Sequence, residues 1–400
     1  MAGDSTLQAT FDTEPEAGSS APSGLPGLLI RRLGAKCASL PVAFDLVLPN
    51  GAAARLGNGP CKFRFLLRNN RAVRAMLSLD QGNIAEAFFN ADFDVEGEML
   101  DLFWLRHGIL TDRHPLLTVW QFLQPKLIGQ VRLNKQAIST HYDRDESFFL
   151  QFLDPEVPLY TQGMYAHDDE PLADACRRKL AYCFDACRLK PGDHILEIGP
   201  GWGSWFKYAS DRGVKCTGLS ISQASIDYLQ KIAKAEGYDW ELIFADILEY
   251  QSDRKYDAIV MMGVIEHLPQ YDKVLAKFYS LLKPGGRIFL DGSSTASKKD
   301  VSSVVIKHIY PGNHSLMVLH ELLEAMTHTR LQLVELFDDR HSYYLTFRQW
   351  ALNWEKNRET IIERFGTADY RKFLLYLWGF THNFRIAGSG CYRMIFESPT

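Results

Sequence analysis

Three glycines at alternate positions, Gly199-x-Gly201-x-Gly203, follow the apolar run Ile195-Leu196-Glu197-Ile198. They precede a stretch in which Trp205, Phe206 and Ala209 fall at helical spacing. A strand, a glycine turn and a helix start make a corner where a ligand can approach backbone without meeting a Cβ and where free N–H groups face it. The spacing is not the Gly-x-Gly-x-x-Gly of dinucleotide binders, and no lysine stands at the turn to meet a phosphate. The chemistry it suits is a nucleoside carrying an amino-acid carboxylate rather than a polyphosphate. Further polar residues recur at regular intervals downstream: Ser220, Ile221 and Ser222, then Asp246 and Ile247, then Glu266 and His267, then Asp291.

These residues are positioned by alternating strand and helix patterns. Strands are predicted at 194–198, 214–219, 241–244, 257–264, 287–290, 331–337 and 391–396, with helices over 172–188, 204–212, 222–236 and 272–282. Alternation of this kind predicts a mainly parallel sheet covered on both faces, an α/β fold. Ligands of such sheets bind beyond the carboxyl ends of the strands, where the polar residues above fall. Taken singly, Asp246 reads equally as a helix cap and His267 as a structural histidine; five strand ends on one rim carry the argument.

Ahead of this lies a small α+β module. Residues 42–48 and 53–56 flank Pro49-Asn50-Gly51, a hairpin signal, and 62–67 alternates basic and apolar residues as a third strand. Helices are expected near 72–79, 84–90 and 99–106. Residues 1–27, rich in Ser, Gly, Pro, Ala and acids, read as a disordered tail. The division expected is a tail to 27, an N-terminal substrate- or lipid-presenting domain over 28–130 and a catalytic domain over 131–400.

The chain has 400 residues and a net charge of −4. That charge is unevenly spread: residues 28–75 hold nine bases against Asp45, and residues 76–105 hold seven acids and no base. Such asymmetry marks either a surface for a polyanion or a balanced solvated face. Seven cysteines at positions 37, 61, 176, 183, 187, 216 and 391 show neither metal spacing nor a paired framework. They read as reduced thiols in a cytoplasmic protein without a bound metal. No apolar run nears the ~18 residues that span a bilayer, leaving peripheral membrane contact through the basic 28–75 region as the expectation. No nucleic-acid partner is indicated, and the sequence leaves oligomeric state open. Asn313-His314-Ser315 matches a glycosylation sequon.

Leu196-Glu197-Ile198-Gly199-Pro200-Gly201-Trp202-Gly203, Gly218-Leu219-Ser220-Ile221-Ser222, Ala245-Asp246, Gly263-Val264-Ile265-Glu266-His267 and Leu282-Lys283-Pro284-Gly285-Gly286 together resemble the S-adenosylmethionine-dependent methyltransferases. More narrowly, the chain resembles the cyclopropane-fatty-acyl-phospholipid synthase and mycolic acid cyclopropane synthase family. His141-Tyr142-Asp143, Tyr160-Thr161 and the Tyr343 to Trp350 region match further motifs of that family. The resemblance implies a Rossmann-like class I methyltransferase fold and S-adenosyl-L-methionine as cofactor. It implies that Gly199, Gly201 and Gly203 cradle the methionine part and that Tyr160 and Thr161 reach its carboxylate. Ser220, Ile221 and Ser222 would follow the ribose, with Asp246 and Ile247 at the adenine.

The departures concern the base. In the family a cysteine, a glutamate, a histidine and a tyrosine hold a bicarbonate ion; here those positions are Gln162, Glu266, Asp291 and Tyr343, and a neighbouring isoleucine is Ser293. A carboxylate added near Glu266 should repel an anion, so Asp291 and Glu266 are expected to share the proton work, one titrating high and the other ionised. The resulting expectation is a C-methyltransferase acting on an unsaturated fatty acyl chain or similar alkene, with Glu266, Asp291, Tyr343, His267 and Gln162 at the reacting centre. Two alternatives remain. One is a small-molecule N-methyltransferase of the coclaurine type, with Glu266 holding an amine and His267 assisting its deprotonation. The other is a cofactor-binding protein without catalysis.

Overall fold

A computed structural model describes residues 23–112, 146–297, 302–310 and 316–400. Residues 1–22 of the expected tail, the His141-Tyr142-Asp143 motif and the Asn313 sequon lie outside the described residues. The chain forms two compact units, one of Met1–Pro115, Ser302–Val304 and Arg358–His382, the other of Leu116–Val301, Val305–Asn357 and Asn383–Thr400. The first therefore takes in a late segment that the linear division at residue 130 assigned to the catalytic domain.

In the first unit, β1 (Ala43–Val47), β2 (Ala53–Gly57), β3 (Cys61–Leu67) and β4 (Phe93–Gly97) form a sheet of order β2-β1-β3-β4. β1 and β2 make the expected hairpin, with Gly51 in the left-handed region at φ 85°. Cys61, Phe63, Phe65 and Leu67 point into the core while Lys62, Arg64 and Leu66 are half-buried, the period of two that the sequence shows. The strand Phe93–Gly97 and the helix Gly24–Cys37 were not predicted, and the helix displaces the end of the expected tail. The 99–106 helix is broken into Met99–Leu102 and Trp104–Gly108. Arg371 explains why the late segment belongs here: its guanidinium donates to the carbonyls of Phe88 (3.1 Å) and Phe93 (2.8 Å) and pairs with Asp94.

Charge is organised by strand neighbours. Buried Asp45 on β1 lies opposite Arg55 on β2 and Arg64 on β3, at 2.9 and 3.3 Å. Lys62 pairs with Glu98, and Arg68 with Asp94. Asp45 and the acidic run thus share the neutralisation of the bases on and beside the strands. Arg31, Arg32 and Lys36 on the Gly24–Cys37 helix and Arg71 and Arg74 on the Asn70–Ser78 helix are in no ion pair among the described residues.

Among the described residues, the second unit holds seven strands: β5 (His194–Ile198), β6 (Lys215–Ser220), β7 (Glu241–Phe244), β8 (Tyr256–Met262), β9 (Leu282–Ser294), β10 (Gln332–Asp338) and β11 (Gly390–Glu397). Their order is β10-β11-β9-β8-β5-β6-β7, parallel from β9 to β7, with β11 antiparallel to both β9 and β10. β9 is longer than predicted. Lys283-Pro284-Gly285-Gly286 begins the strand instead of separating it from the helix, and the strand continues past Asp291 to Ser294. The helix Tyr271–Leu281 buries Tyr271, Val274, Leu275, Phe278 and Leu281 against the sheet, one face at helical period. Replacing fully buried Phe278 by alanine is expected to cost about 3–5 kcal/mol of stability; urea denaturation measures it, and a loss below about 1 kcal/mol contradicts this packing.

Candidate functional site

β5 has a parallel partner on each side, β6 and β8, so the chain order reverses there and a crevice opens beyond the carboxyl ends. The glycine turn leaves β5 at that point. Gly199, Gly201 and Gly203 have φ of 71°, 54° and 82°, values that only glycine adopts without strain. A Cβ on Gly201 would come no nearer to another atom than 4.0 Å, so the turn leaves open space above it. Gly203 has a different task, because a Cβ there would strike Leu229 at 2.7 Å; it allows the Ser204–Ser210 helix to pack.

The cleft encloses about 1290 Å³ including its open mouth. Tyr160, Thr161, Gly199, Gly201, Ser220, Ile221, Ser222, Asp246, Ile247 and His267 all line it. Gly203, Gln162, Glu266, Asp291 and Tyr343 are not among its lining residues. Ser220 and Ser222 have local partners: the Ser222 N–H donates to Ser220 Oγ at 3.1 Å, and Ser222 Oγ caps the Gln223–Glu236 helix by accepting from Ser225 N at 3.2 Å. Asp246 is 3% exposed and accepts from Leu248 N at 2.9 Å, which fixes its carboxylate at the end of β7. Tyr160 is bonded to the hydroxyl of Tyr310 at 3.0 Å, and its ring lies 5.4 to 6.2 Å from those of Phe149, Phe152, Trp202 and Trp350. The Thr161 hydroxyl turns the other way, toward Asp291 (3.0 Å) and Gln162 (2.6 Å). A hydroxyl has one proton to donate, and in this arrangement that of Thr161 is directed at these two partners and not into the cleft.

Glu197, which sequence reasoning passed over, lines the same cleft. It is buried, one carboxylate oxygen has no partner, and burial pushes its pKa well above the usual carboxylate range. Its place as the last acid before the glycine turn was the available signal. A buried acceptor without a donor is satisfied by a ligand bearing one, and open space over a glycine turn suits a small backbone-bound group. The cleft therefore fits a zwitterionic nucleoside.

Beside the cleft lie two acidic groups with different surroundings. Glu266 follows β8 in a short 3-10 turn and accepts from the backbone N–H (2.7 Å) and hydroxyl (2.8 Å) of Ser293 on β9. Its other oxygen has no partner, and burial, opposed by the Ser293 bonds, raises its pKa to about 7. The charge of Asp291 contributes least to that rise. Asp291 does not stand as a second unpaired carboxylate, as the sequence led one to expect. It is fully buried 2.6 Å from the ammonium of Lys179, on the Leu172–Ala186 helix, and also accepts from Gly263 N at 3.0 Å. Gln162 links this pair to a second one: its amide donates to Asp339 at 3.2 Å, and Asp339 is bonded by Arg393 at 2.9 Å. Tyr343 is packed among Phe347, Trp350 and Phe384, with ring centroids 4.7 to 6.1 Å apart. His267 lies at the cleft wall, and burial lowers its pKa to about 4, so the imidazole is neutral.

Sheet order, crevice and glycine turn define a Rossmann-like methyltransferase domain of the class that uses S-adenosylmethionine. The chain belongs to the mycolic acid cyclopropane synthetase family, whose profile matches residues 130–394. Among its relatives, the sphingolipid C9-methyltransferase of Candida albicans is 24% identical over 332 residues, 78% of this chain and 64% of that protein. The chain thus spans somewhat under two thirds of that relative's length. A probable fatty acid methyltransferase of Pseudomonas putida is 23% identical over 383 residues, covering 90% and 93%. The crystal structure of mycolic acid cyclopropane synthase CmaA1 complexed with SAH and CTAB superposes with a TM-score of 0.62 at 21% identity, over 66% of this chain and 98% of that one. Coclaurine N-methyltransferase gives a TM-score of 0.60 at 13% identity, over 79% and 95%. Both structures share the fold.

Titration calorimetry with S-adenosylhomocysteine checks the cleft. Gly201→Val, which fills the open space, and Asp246→Ala are each expected to weaken binding by about tenfold or more. Unchanged binding in both variants contradicts the assignment.

Proposed function

We propose that this chain is a C-methyltransferase that acts on the double bond of an unsaturated fatty acyl chain carried by a lipid. Glu266 is the observation that supports this reading most directly: a carboxyl group shielded from water, anchored through one oxygen, with the other oxygen unpartnered and a pKa raised to about 7. Lipid-directed relatives in the same family add to it.

When bound, S-adenosylmethionine supplies a methyl group on a sulfonium and departs as S-adenosylhomocysteine. An alkene that accepted this methyl through its π electrons would be left with a cation on the acyl chain. Ionised Glu266 stabilises that cation and takes one proton from it. A proton lost from the added carbon closes a cyclopropane ring or, after a 1,2-hydride shift along the chain, leaves an exocyclic methylene, whereas one lost from a chain carbon leaves a methyl-branched alkene. Asp291, tied to Lys179, is not the partner in this step. The glycine turn, Asp246 and the Ser220-Ile221-Ser222 segment bind and orient the nucleoside, and Tyr160 with Phe149 and Trp202 screens the reacting centre from water.

The raised pKa gives the reading a sign. Below about pH 7 Glu266 is protonated and cannot accept, so kcat/KM is expected to rise with pH through a midpoint near 7 and then level. Because the folded state holds this proton more tightly than the unfolded chain, the wild type loses stability as pH rises from about 4.5 to 7. Glu266→Gln should abolish the activity and the corresponding pH-dependent stability loss. Labelled cofactor offered with unsaturated phospholipid and sphingolipid substrates, followed by mass spectrometry, is the direct test. Gain of one CH2 in a lipid supports the reading, while cofactor binding with no labelled product favours a protein without catalysis.

Neutral His267 at the cleft wall supports a second reading, N-methylation, with the imidazole accepting the amine proton. Product from an amine panel together with unlabelled lipids would select it.

Access to a lipid gives the unpaired bases a role. The outer face of the Gly24–Cys37 helix carries Leu25 (41% exposed) and Leu28 (46% exposed), and Arg31, Arg32 and Lys36 on the same helix are also exposed. The adjoining Asn70–Ser78 helix adds Arg71 and Arg74. Two insertable leucines among basic residues suit an anionic membrane surface. No helix among the described residues is long and apolar enough to cross a membrane, so contact would be peripheral. Arg31→Glu/Arg32→Glu should lower binding to anionic vesicles by about tenfold or more at moderate salt and leave cofactor affinity intact. Equal vesicle binding by the double variant and the wild type contradicts this role.

A further inference from the structure

Lys179 is 0% exposed, in the middle of a helix whose other buried residues include Ala175, Cys176, Leu180 and Cys183. A lysine is almost never buried to this extent unless paired. Its ammonium contacts Asp291 Oδ2 at 2.6 Å and donates to Thr161 Oγ1 at 3.0 Å and Gln162 Oε1 at 3.4 Å. Asp291 Oδ1 in turn accepts from the Thr161 hydroxyl and from Gly263 N, both at 3.0 Å. Thr161 and Gly263 line the cleft, and they approach closely: a Cβ on Gly263 would lie 3.4 Å from Thr161 Cβ and from the Tyr160 carbonyl.

A buried ion pair gives little net stability, and well-packed apolar residues of similar volume often do as well or better. What this pair does that an apolar pair cannot is fix hydrogen-bonded positions. It ties the Tyr160–Gln162 strip, which comes from before the sheet, to the end of β8, and thereby sets the separation of two walls of the cleft. Exclusion of water from the pair makes those bonds stiff.

We propose that Lys179 is a positioning residue for the cofactor cleft, acting with Asp291 to hold Thr161 and Gly263 at the spacing the nucleoside requires. The proposal rests on the reading of the cleft as the S-adenosylmethionine site. Lys179 is not among the residues lining the cleft and acts through Thr161.

Two double variants separate positioning from stability. Lys179→Gln/Asp291→Asn removes both charges and keeps hydrogen-bonding groups, whereas Lys179→Met/Asp291→Leu removes charges and bonds together. Each is compared with the wild type by thermal unfolding and by calorimetric titration with S-adenosylhomocysteine. The expected result is a folded Gln/Asn variant with affinity within about threefold of the wild type, and a folded Met/Leu variant about tenfold weaker or more. Equal affinity in the two folded variants overturns the proposal. If the Met/Leu protein does not fold, Lys179→Met/Asp291→Asn, which deletes only the bonds from position 179, is compared with the Gln/Asn variant, and equal affinity again overturns it. Failure of the wild type itself to bind the nucleoside would refute the cofactor site and is a separate outcome.

Discussion

The reversal of strand order at β5 is the constraint on which the rest of this site depends. Crossovers leave β5 toward β6 on one side and come back to β8 on the other, so no connection covers the carboxyl end of the sheet at that point. A turn placed there must leave the strand sharply and present backbone to the crevice. Gly199 and Gly201 do both, with positive φ and no Cβ. Asp246, Ser220 and His267 arrive at the same rim because their strands are parallel neighbours of β5 or adjoin them.

The electrostatics of the unit divide its buried charges into two kinds. Asp291 with Lys179 and Asp339 with Arg393 are matched pairs, joined through Gln162. Glu197 and Glu266 are not matched: each has an unpartnered oxygen, and burial is the leading cause of its raised pKa. Buried carboxyl groups without counter-charges cost stability unless a ligand compensates them. In the proposed reaction, a bound nucleoside with an ammonium and hydroxyl groups would compensate the first, and a transient cation the second. Burial and the bonds from Ser293 weigh more on Glu266 than the charge of Asp291 does.

The sequence was most informative where function rests on local pattern. The glycine turn, the polar strand ends, the Ser222 cap and the period-two strand Cys61–Leu67 all follow from residues close together in the chain. Less was legible where meaning depends on remote partners. Asp291 reads as an extra anion until the Leu172–Ala186 helix delivers Lys179 to it. Nor does the basic run reveal which of its members are neutralised until β1, β2 and β3 are aligned around Asp45. Ser293 reads as a lost apolar residue, yet it supplies both bonds to Glu266. The Gly24–Cys37 helix was masked by the Gly and Pro residues at its start, which resemble the tail before it.

A crystal structure with S-adenosylhomocysteine tests the central claim most directly. The account predicts the amino-acid portion over Gly199–Gly201 with a donor on Glu197, the ribose along Ser220-Ile221-Ser222, and the adenine amine at Asp246. A nucleoside bound elsewhere, or a cleft left empty under saturating ligand, would contradict it.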